Sequence, residues 1–283
     1  MLFDFICDMF NESLYWCTDV FISTKILTML PYWLTDIVQN HKGSGSVRNL
    51  NGSKPHFYLA AVNLVRIYEN DKAKWTKEEL RQWINYMLYA GVERIYLYDH
   101  FKVKNESLRH WSFENFPYVV GYHDWHDHFP YSVKETQMTA YQHAVVTYGN
   151  ISTWQIQFDM DEYPFMPNDK KREFLIRFLH RNSQNHPDVN EWSVKNFLFL
   201  GKPKNERHIL KRYLRRTPKP ANTVDKPICR TKSMDADVNE IRMNHYWGAR
   251  LQNWGNDTPK IFNITMFDDS IVDIANQLEL YVT

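Results

Sequence analysis

The stretch from Phe57 to Asp99 constrains this chain more than any other, because it reads as a complete β-α-β unit. Phe57 to Ile67 is an apolar, β-compatible run that ends in the polar loop Tyr68-Glu69-Asn70-Asp71. Thr76-Lys77-Glu78-Glu79 has the form of a capping box, with Glu79 at the N3 position. Leu80, Trp83, Ile84, Met87 and Leu88 then recur at the spacing of an amphipathic helix, and Gly91 is placed to close it. Val92 to Tyr98 is the next strand, ending at Asp99. Loops this short predict two parallel neighbouring strands joined by a right-handed crossover. Sheets of this kind bind ligands at the carboxyl ends of their strands, where Glu69, Asn70 and Asp99 fall.

A second stretch carries the chemistry. Trp154, Ile156 and Phe158 alternate with Gln155 and Gln157, as in an extended segment, and the run closes with Asp159-Met160-Asp161-Glu162-Tyr163 before Pro164. Side chains two apart share one face of a strand, so Asp159 and Asp161 are expected side by side at its end. Paired carboxylates repel unless a proton or a cation lies between them. Mg²⁺ or Mn²⁺ takes one or two carboxylates together with the phosphates of a ligand, which suggests a metal–diphosphate site. The plainer alternative is a solvated turn or a cap. An aspartyl-phosphate phosphatase also places D-x-D at a strand end. Its motif usually has Thr or Val where Tyr163 stands, and usually lies in the first strand of its domain.

Composition sets the frame. With 283 residues, 43% hydrophobic and 16% aromatic, the chain can bury a full core. Nine glycines and no G-x-G-x-x-G run disfavour a Gly-rich phosphate loop. A net charge of +1 gives no global field for nucleic acid or membrane. Cys7, Cys17 and Cys229 lack metal-ligand spacing and allow at most one disulfide. Sequons at Asn11, Asn51, Asn105, Asn150, Asn256 and Asn263 are compatible with a secretory lumen. No signal or transmembrane segment is evident: the apolar residues near the start are interrupted by Asp4, Asp8, Glu12 and Asp19. Residues 1–55 are expected to be an N-terminal arm and a Gly/Ser/Lys linker, and residues 56–283 the folded domain.

Further along, Pro117–Tyr122 suggests a third strand. It is followed by His123-Asp124-Trp125-His126-Asp127-His128, a loop that is either polar rim or a zinc site without a distant partner. Val133–Tyr148 is expected to be a helix resting on Met138, Tyr141, Gln142 and Val145. Asp169 is expected to cap a helix through His180 that buries Phe174, Leu175, Phe178 and Leu179. Trp192–Leu200 suggests one strand, and Lys226–Arg230 and Glu240–Trp247 two more. Lys202–Lys219 holds eight Lys/Arg against one Glu, which reads as a solvated helix or, more sharply, a surface for a polyanion.

Taken in order, Glu69-Asn70, Gln82-Trp83-Ile84, Gly91-Val92, Tyr96-Leu97-Tyr98-Asp99, Gln137, Tyr141, Trp154 and Phe158–Tyr163 resemble glycosyltransferase family 92 over roughly residues 57–250. Gln82 stands where that family usually has Glu, and Glu69-Asn70 reverses its usual Asn-Glu. The resemblance implies an α/β fold of the GT-A type, with a mostly parallel central sheet flanked by helices. It further implies an inverting, metal-dependent transferase that moves a sugar, galactose above all, from a UDP-sugar to a glycan or glycoconjugate acceptor in the Golgi lumen, with no nucleic-acid partner. Mn²⁺ or Mg²⁺ would be held by Asp159 and Asp161. His245 would be a third ligand, a diphosphate contact, or a structural histidine among aromatics. Glu69, Asn70, Asp99, Gln137 and Met160 would line the substrate. The general base would come from Glu191, Asp235 or Asp237, with Glu191 preferred because it borders a strand near the expected acceptor side. An inactive nucleotide-sugar or glycan-binding module of the same fold is the alternative.

Overall fold

The computed structural model describes residues 56–68, 75–128, 133–220, 226–229, 233–235, 237, 239–249 and 265–280. In chain order its strands are β1 (Phe57–Val65), β2 (Arg94–Asp99), β3 (Val120–Asp124), β4 (Ser152–Gln157), β5 (Glu162–Phe165) and β6 (Glu191–Val194). These are followed by β7 (Asn196–Leu198), β8 (Arg215–Arg216), β9 (Lys226–Cys229), β10 (Ser233–Asp235), β11 (Arg242–His245) and β12 (Met266–Phe267). The α-helices are α1 (Lys77–Ala90), α2 (Arg109–Asn115), α3 (Val133–Tyr148), α4 (Phe174–Asn185), α5 (Ile209–Arg212) and α6 (Val272–Leu280).

β1 is apolar on both faces because it lies inside the main sheet. That sheet runs β3-β2-β1-β4-β9-β6-β10. The first four strands are mutually parallel, β9 is antiparallel to both of its neighbours, and β10 is parallel to β6. Leu59, Ala61 and Val65 of β1 face a large core built with α1, α4 and α6. Ala60, Val62 and Leu64 face a second core with Tyr96, Tyr98, Trp125 and, from α3, Ala140, Tyr141 and Ala144. The strand's period of two thus divides the interior in two. The expected α/β class, a mostly parallel sheet with helices on both faces, is what the chain forms.

The β-α-β unit holds in detail. Thr76 and Glu79 form the capping box, and Gly91 ends α1 at φ 111°. Gln82 accepts from Ile209 N (3.0 Å) and donates to Arg207 O (3.2 Å). A glutamate could not supply that donor.

Four expectations need correction. The third strand lies two to three residues later than expected, at Val120–Asp124. The Trp192–Leu200 run is two strands: β6 belongs to the main sheet, while β7 pairs with β11 in a second sheet ordered β5-β11-β7. Asp169 is no helix cap; it forms a two-pronged pair with Arg177 (2.8 Å each), and α4 starts at Phe174 after Glu173 at φ 63°. Phe174, Leu175, Phe178 and Leu179 are buried as expected. Within Lys202–Lys219 only α5 is α-helical, and its cations serve internal contacts. Arg212 pairs with Glu79 (2.9 Å), Lys211 with Glu279 (2.5 Å), and Arg216 with Asp268, while Arg215 bonds Thr265. These contacts engage much of the charge that a polyanion would need.

α3 matches its expected span, but it rests on Thr136, Ala140, Tyr141, His143 and Ala144, with Gln142 exposed. Small residues at 140 and 144 let the helix approach the sheet closely.

Candidate functional site

The site begins where β4 stops. β4 ends at Gln157, and the carbonyl of buried Phe158 accepts from Asn63 Nδ2 in β1 (2.8 Å), which fixes the exit of the chain beside the centre of the sheet. A tight turn follows, closed by Glu162 N–H to Asp159 O (3.0 Å), before β5 starts in the second sheet. β5 is an edge strand of that sheet, a position that tolerates Pro164. Helix α1 fastens it: Trp83 Nε1 donates to Glu162 O (3.2 Å), and the Tyr86 hydroxyl donates to Pro164 O (2.5 Å).

Asp159 and Asp161 therefore do not share a strand face, because the strand ends two residues before the first of them. Asp159 is half-buried and turns toward α3, where Gln137 Nε2 donates to its Oδ1 at 2.6 Å. Tyr141 OH accepts from the same amide (2.8 Å) and lies 3.5 Å from that oxygen. Asp161 is fully buried and turns toward β11, with its Oδ2 3.1 Å from His245 Nε2. Antiparallel pairing sets His245 opposite Glu162. Glu162 is also fully buried; its Oε2 accepts the Asp159 N–H (2.9 Å), and its Oε1 lies 3.7 Å from His245 Nδ1. One imidazole thus sits between two buried carboxylates.

Carboxylate oxygens and imidazole nitrogen are donor types that a divalent ion takes. Asp161 and His245 are bonded to each other directly, at 3.1 Å. His245 Nδ1 and Glu162 Oε1 are both buried, 3.7 Å apart, with no hydrogen bond between them. Among the described residues, no three His, Cys, Asp or Glu side chains are grouped so as to hold an ion by themselves. An ion here would complete its shell from phosphate oxygens and water.

Glu69 and Asn70 are outside the described residues. Met160 is a core side chain, 4% exposed. Asp99 is buried at the end of β2, where its Oδ2 accepts from Leu108 N (2.7 Å), Tyr122 OH (2.8 Å) and Ser107 Oγ (3.4 Å). It anchors the segment that leads into α2, and burial pushes its carboxyl up to about 6 in spite of those donors. Glu191 is buried at the amino end of β6, opposite Cys229, which is itself opposite Gln155. Gln155 is two residues, about 7 Å, short of the end of β4. Because β6 runs parallel to β4, Glu191 lies away from the edge that carries Asp159. β10 runs the same way, so its end at Asp235 and the exposed Asp237 beyond it approach that edge.

The three loop histidines diverge and form no zinc cluster. His123 bonds Tyr148 OH (2.7 Å), His126 pairs with Asp124 (2.5 Å) and Asp127 (3.0 Å), and His128 stacks on Trp125. Sequence reasoning missed Asn63, Tyr141 as a partner of Asp159, and Glu162. Each left a signal: a lone amide in an apolar strand, a hydroxyl four residues after Gln137 on a helix, and a third acid after D-x-D.

No family model matches the chain, and no curated protein matches it by sequence. Among solved structures, it is similar to 4-diphosphocytidyl-2C-methyl-D-erythritol synthase of Anaerococcus prevotii. The identity is 6% and the TM-score 0.33, over 66% of this chain and 92% of that one. It is also similar to S. aureus TarS (1–349), at 8% identity and TM-score 0.32, over 61% and 47%. Mouse xyloside xylosyltransferase 1 is similar at 14% identity and TM-score 0.28, over 62% and 67%. No helix among the described residues is long and apolar enough to cross a membrane.

Proposed function

We propose that the chain is a metal-dependent glycosyltransferase of the GT-A type, transferring galactose from UDP-galactose to a glycan acceptor with inversion in a secretory lumen. The observation that carries this reading is the turn Asp159–Glu162, which leaves the carboxyl end of a parallel strand and meets His245 from a second sheet. Carboxyl ends of such strands are where open α/β sheets take nucleotide ligands. Asp159, Asp161 and His245 would hold Mn²⁺ or Mg²⁺, which offsets the negative charge that grows on a departing diphosphate. Glu162 accepts the Asp159 N–H and so holds the turn that carries these carboxylates. Asp237, exposed beyond the end of β10, replaces Glu191 as the preferred general base for the acceptor hydroxyl.

One contact favours the second reading, a binding module without turnover: Asp161 and His245 already satisfy each other directly. UDP release from a panel of UDP-sugars, with Mn²⁺ or with EDTA, separates the two. Mn²⁺-dependent release from one donor, at least a hundredfold lower in Asp159→Ala, is the expected result. Mn²⁺-dependent UDP binding without turnover, in the presence of glycan acceptors, would establish the module instead.

A further inference from the structure

We propose that Gln137 is a positioning residue for the metal: its side-chain amide aims the Asp159 carboxylate while leaving that carboxylate its full negative charge. This rests on the metal reading above and extends it to a residue outside the acidic motif.

The argument starts from where Asp159 sits. It is half-buried on a turn, with no strand or helix to set its χ angles, so an unsupported carboxylate there would sample several rotamers. Gln137 removes that freedom. Its Nε2 lies 2.6 Å from Asp159 Oδ1 and 2.8 Å from Tyr141 OH. The nitrogen has to face the carboxylate, since an amide oxygen at 2.6 Å would set two acceptors against each other. Tyr141, one helical turn further along α3, orients the amide in turn. The platform is stiff, because buried Ala140 and Ala144 seat α3 against β1.

The choice of an amide is what points to a cation. Lys or Arg at this position would also orient Asp159, but would cancel the charge that attracts a divalent ion. Glu would add a second repelling carboxylate. A neutral donor alone fixes the geometry and keeps the charge, which is how partners behind metal ligands tune affinity.

The test is Mn²⁺ binding followed by electron paramagnetic resonance in the presence of UDP, alongside UDP affinity measured in EDTA. The variants are Gln137→Met, which keeps length and removes the donor, Gln137→Leu and Asp159→Asn. The expected result is a 10- to 100-fold loss of Mn²⁺ affinity in Gln137→Met, with its melting temperature and its UDP affinity in EDTA unchanged. Gln137→Leu serves the same purpose should Gln137→Met fold poorly. Unchanged Mn²⁺ affinity in a folded variant would overturn the proposal. A fall in EDTA-measured UDP affinity would overturn it too, by making Gln137 a nucleotide contact. Wild-type protein that binds no Mn²⁺, or Asp159→Asn that binds it normally, would instead remove the metal reading on which the proposal stands.

Discussion

At Asp99, burial and hydrogen bonding pull in opposite directions, and burial prevails. The carboxyl is raised to about 6 from an ordinary value of 3.8, chiefly by desolvation, although Leu108 N–H and the Tyr122 and Ser107 hydroxyls oppose the shift. A raised acid binds its proton more tightly when folded. Its contribution to stability is therefore complete below pH 3.8 and is lost as pH rises through about 6. Two pKa units correspond to about 3 kcal/mol at most. Asp99→Asn keeps an acceptor for Leu108 N–H and cannot ionise. The stability difference between wild type and Asp99→Asn, from urea midpoints, should shift in favour of the variant between pH 4 and pH 6.5. A difference independent of pH would show that Asp99 does not titrate in this range. The sequence placed Asp99 correctly at a strand end, but not its partners. Leu108 and Tyr122 lie 9 and 23 residues onward, beyond the reach of local pattern. Met160, which only the resemblance placed against the substrate, has its side chain in the core.

Elements were most legible where their signals are local. Helix α1 could be read end to end because its cap, its apolar stripe and its terminating glycine all lie within sixteen residues. Gly91 does more than terminate the helix. At φ 111°, a Cβ there would lie 2.8 Å from Ile176 Cγ1 and 3.1 Å from Glu173 Cα, so the glycine also lets α4 close on α1. Gly91→Ala should cost about 1–3 kcal/mol from left-handed strain plus overpacking, read as a lowered urea midpoint with an unchanged slope. A cost below about 0.5 kcal/mol would mean that the α1–α4 approach is loose. Elements that change partner were not legible. The run from Trp192 to Leu200 is interrupted only by Ser193, Lys195 and Asn196, and a polar pair inside a strand-like run does not by itself say that the chain passes at Lys195 from one sheet to the other. α3 was found at its correct limits and Tyr141 on its buried face, but the rest of that face was missed, because it is made of Ala140, Ala144, Thr136 and His143, residues too small or too polar to register as apolar.

For the whole molecule, the consequence is that the candidate site straddles two sheets. Asp159 hangs from the main sheet through Phe158 and Asn63, while His245 comes from β11 of the second sheet. Glu162 stands between them: one of its oxygens accepts the Asp159 N–H and the other lies 3.7 Å from the His245 ring. The acidic half of this arrangement could be read in the sequence, since its residues are contiguous. The histidine half rested on resemblance, and the place of Glu191 at the amino end of β6 could not be foreseen because a strand's direction in the sheet cannot be read from its own residues. The same limit applied to Lys202–Lys219, whose cations find Glu79, Asp268 and Glu279 only after folding.

The central claim is that the Asp159–Glu162 turn and His245 form a metal-dependent diphosphate site, and calorimetric titration of UDP into the protein tests it most directly. Binding in Mn²⁺ at least tenfold tighter than in EDTA, with that gain lost in Asp159→Asn, is the predicted result. Equal affinity in Mn²⁺ and EDTA, or no UDP binding in either, would contradict the account.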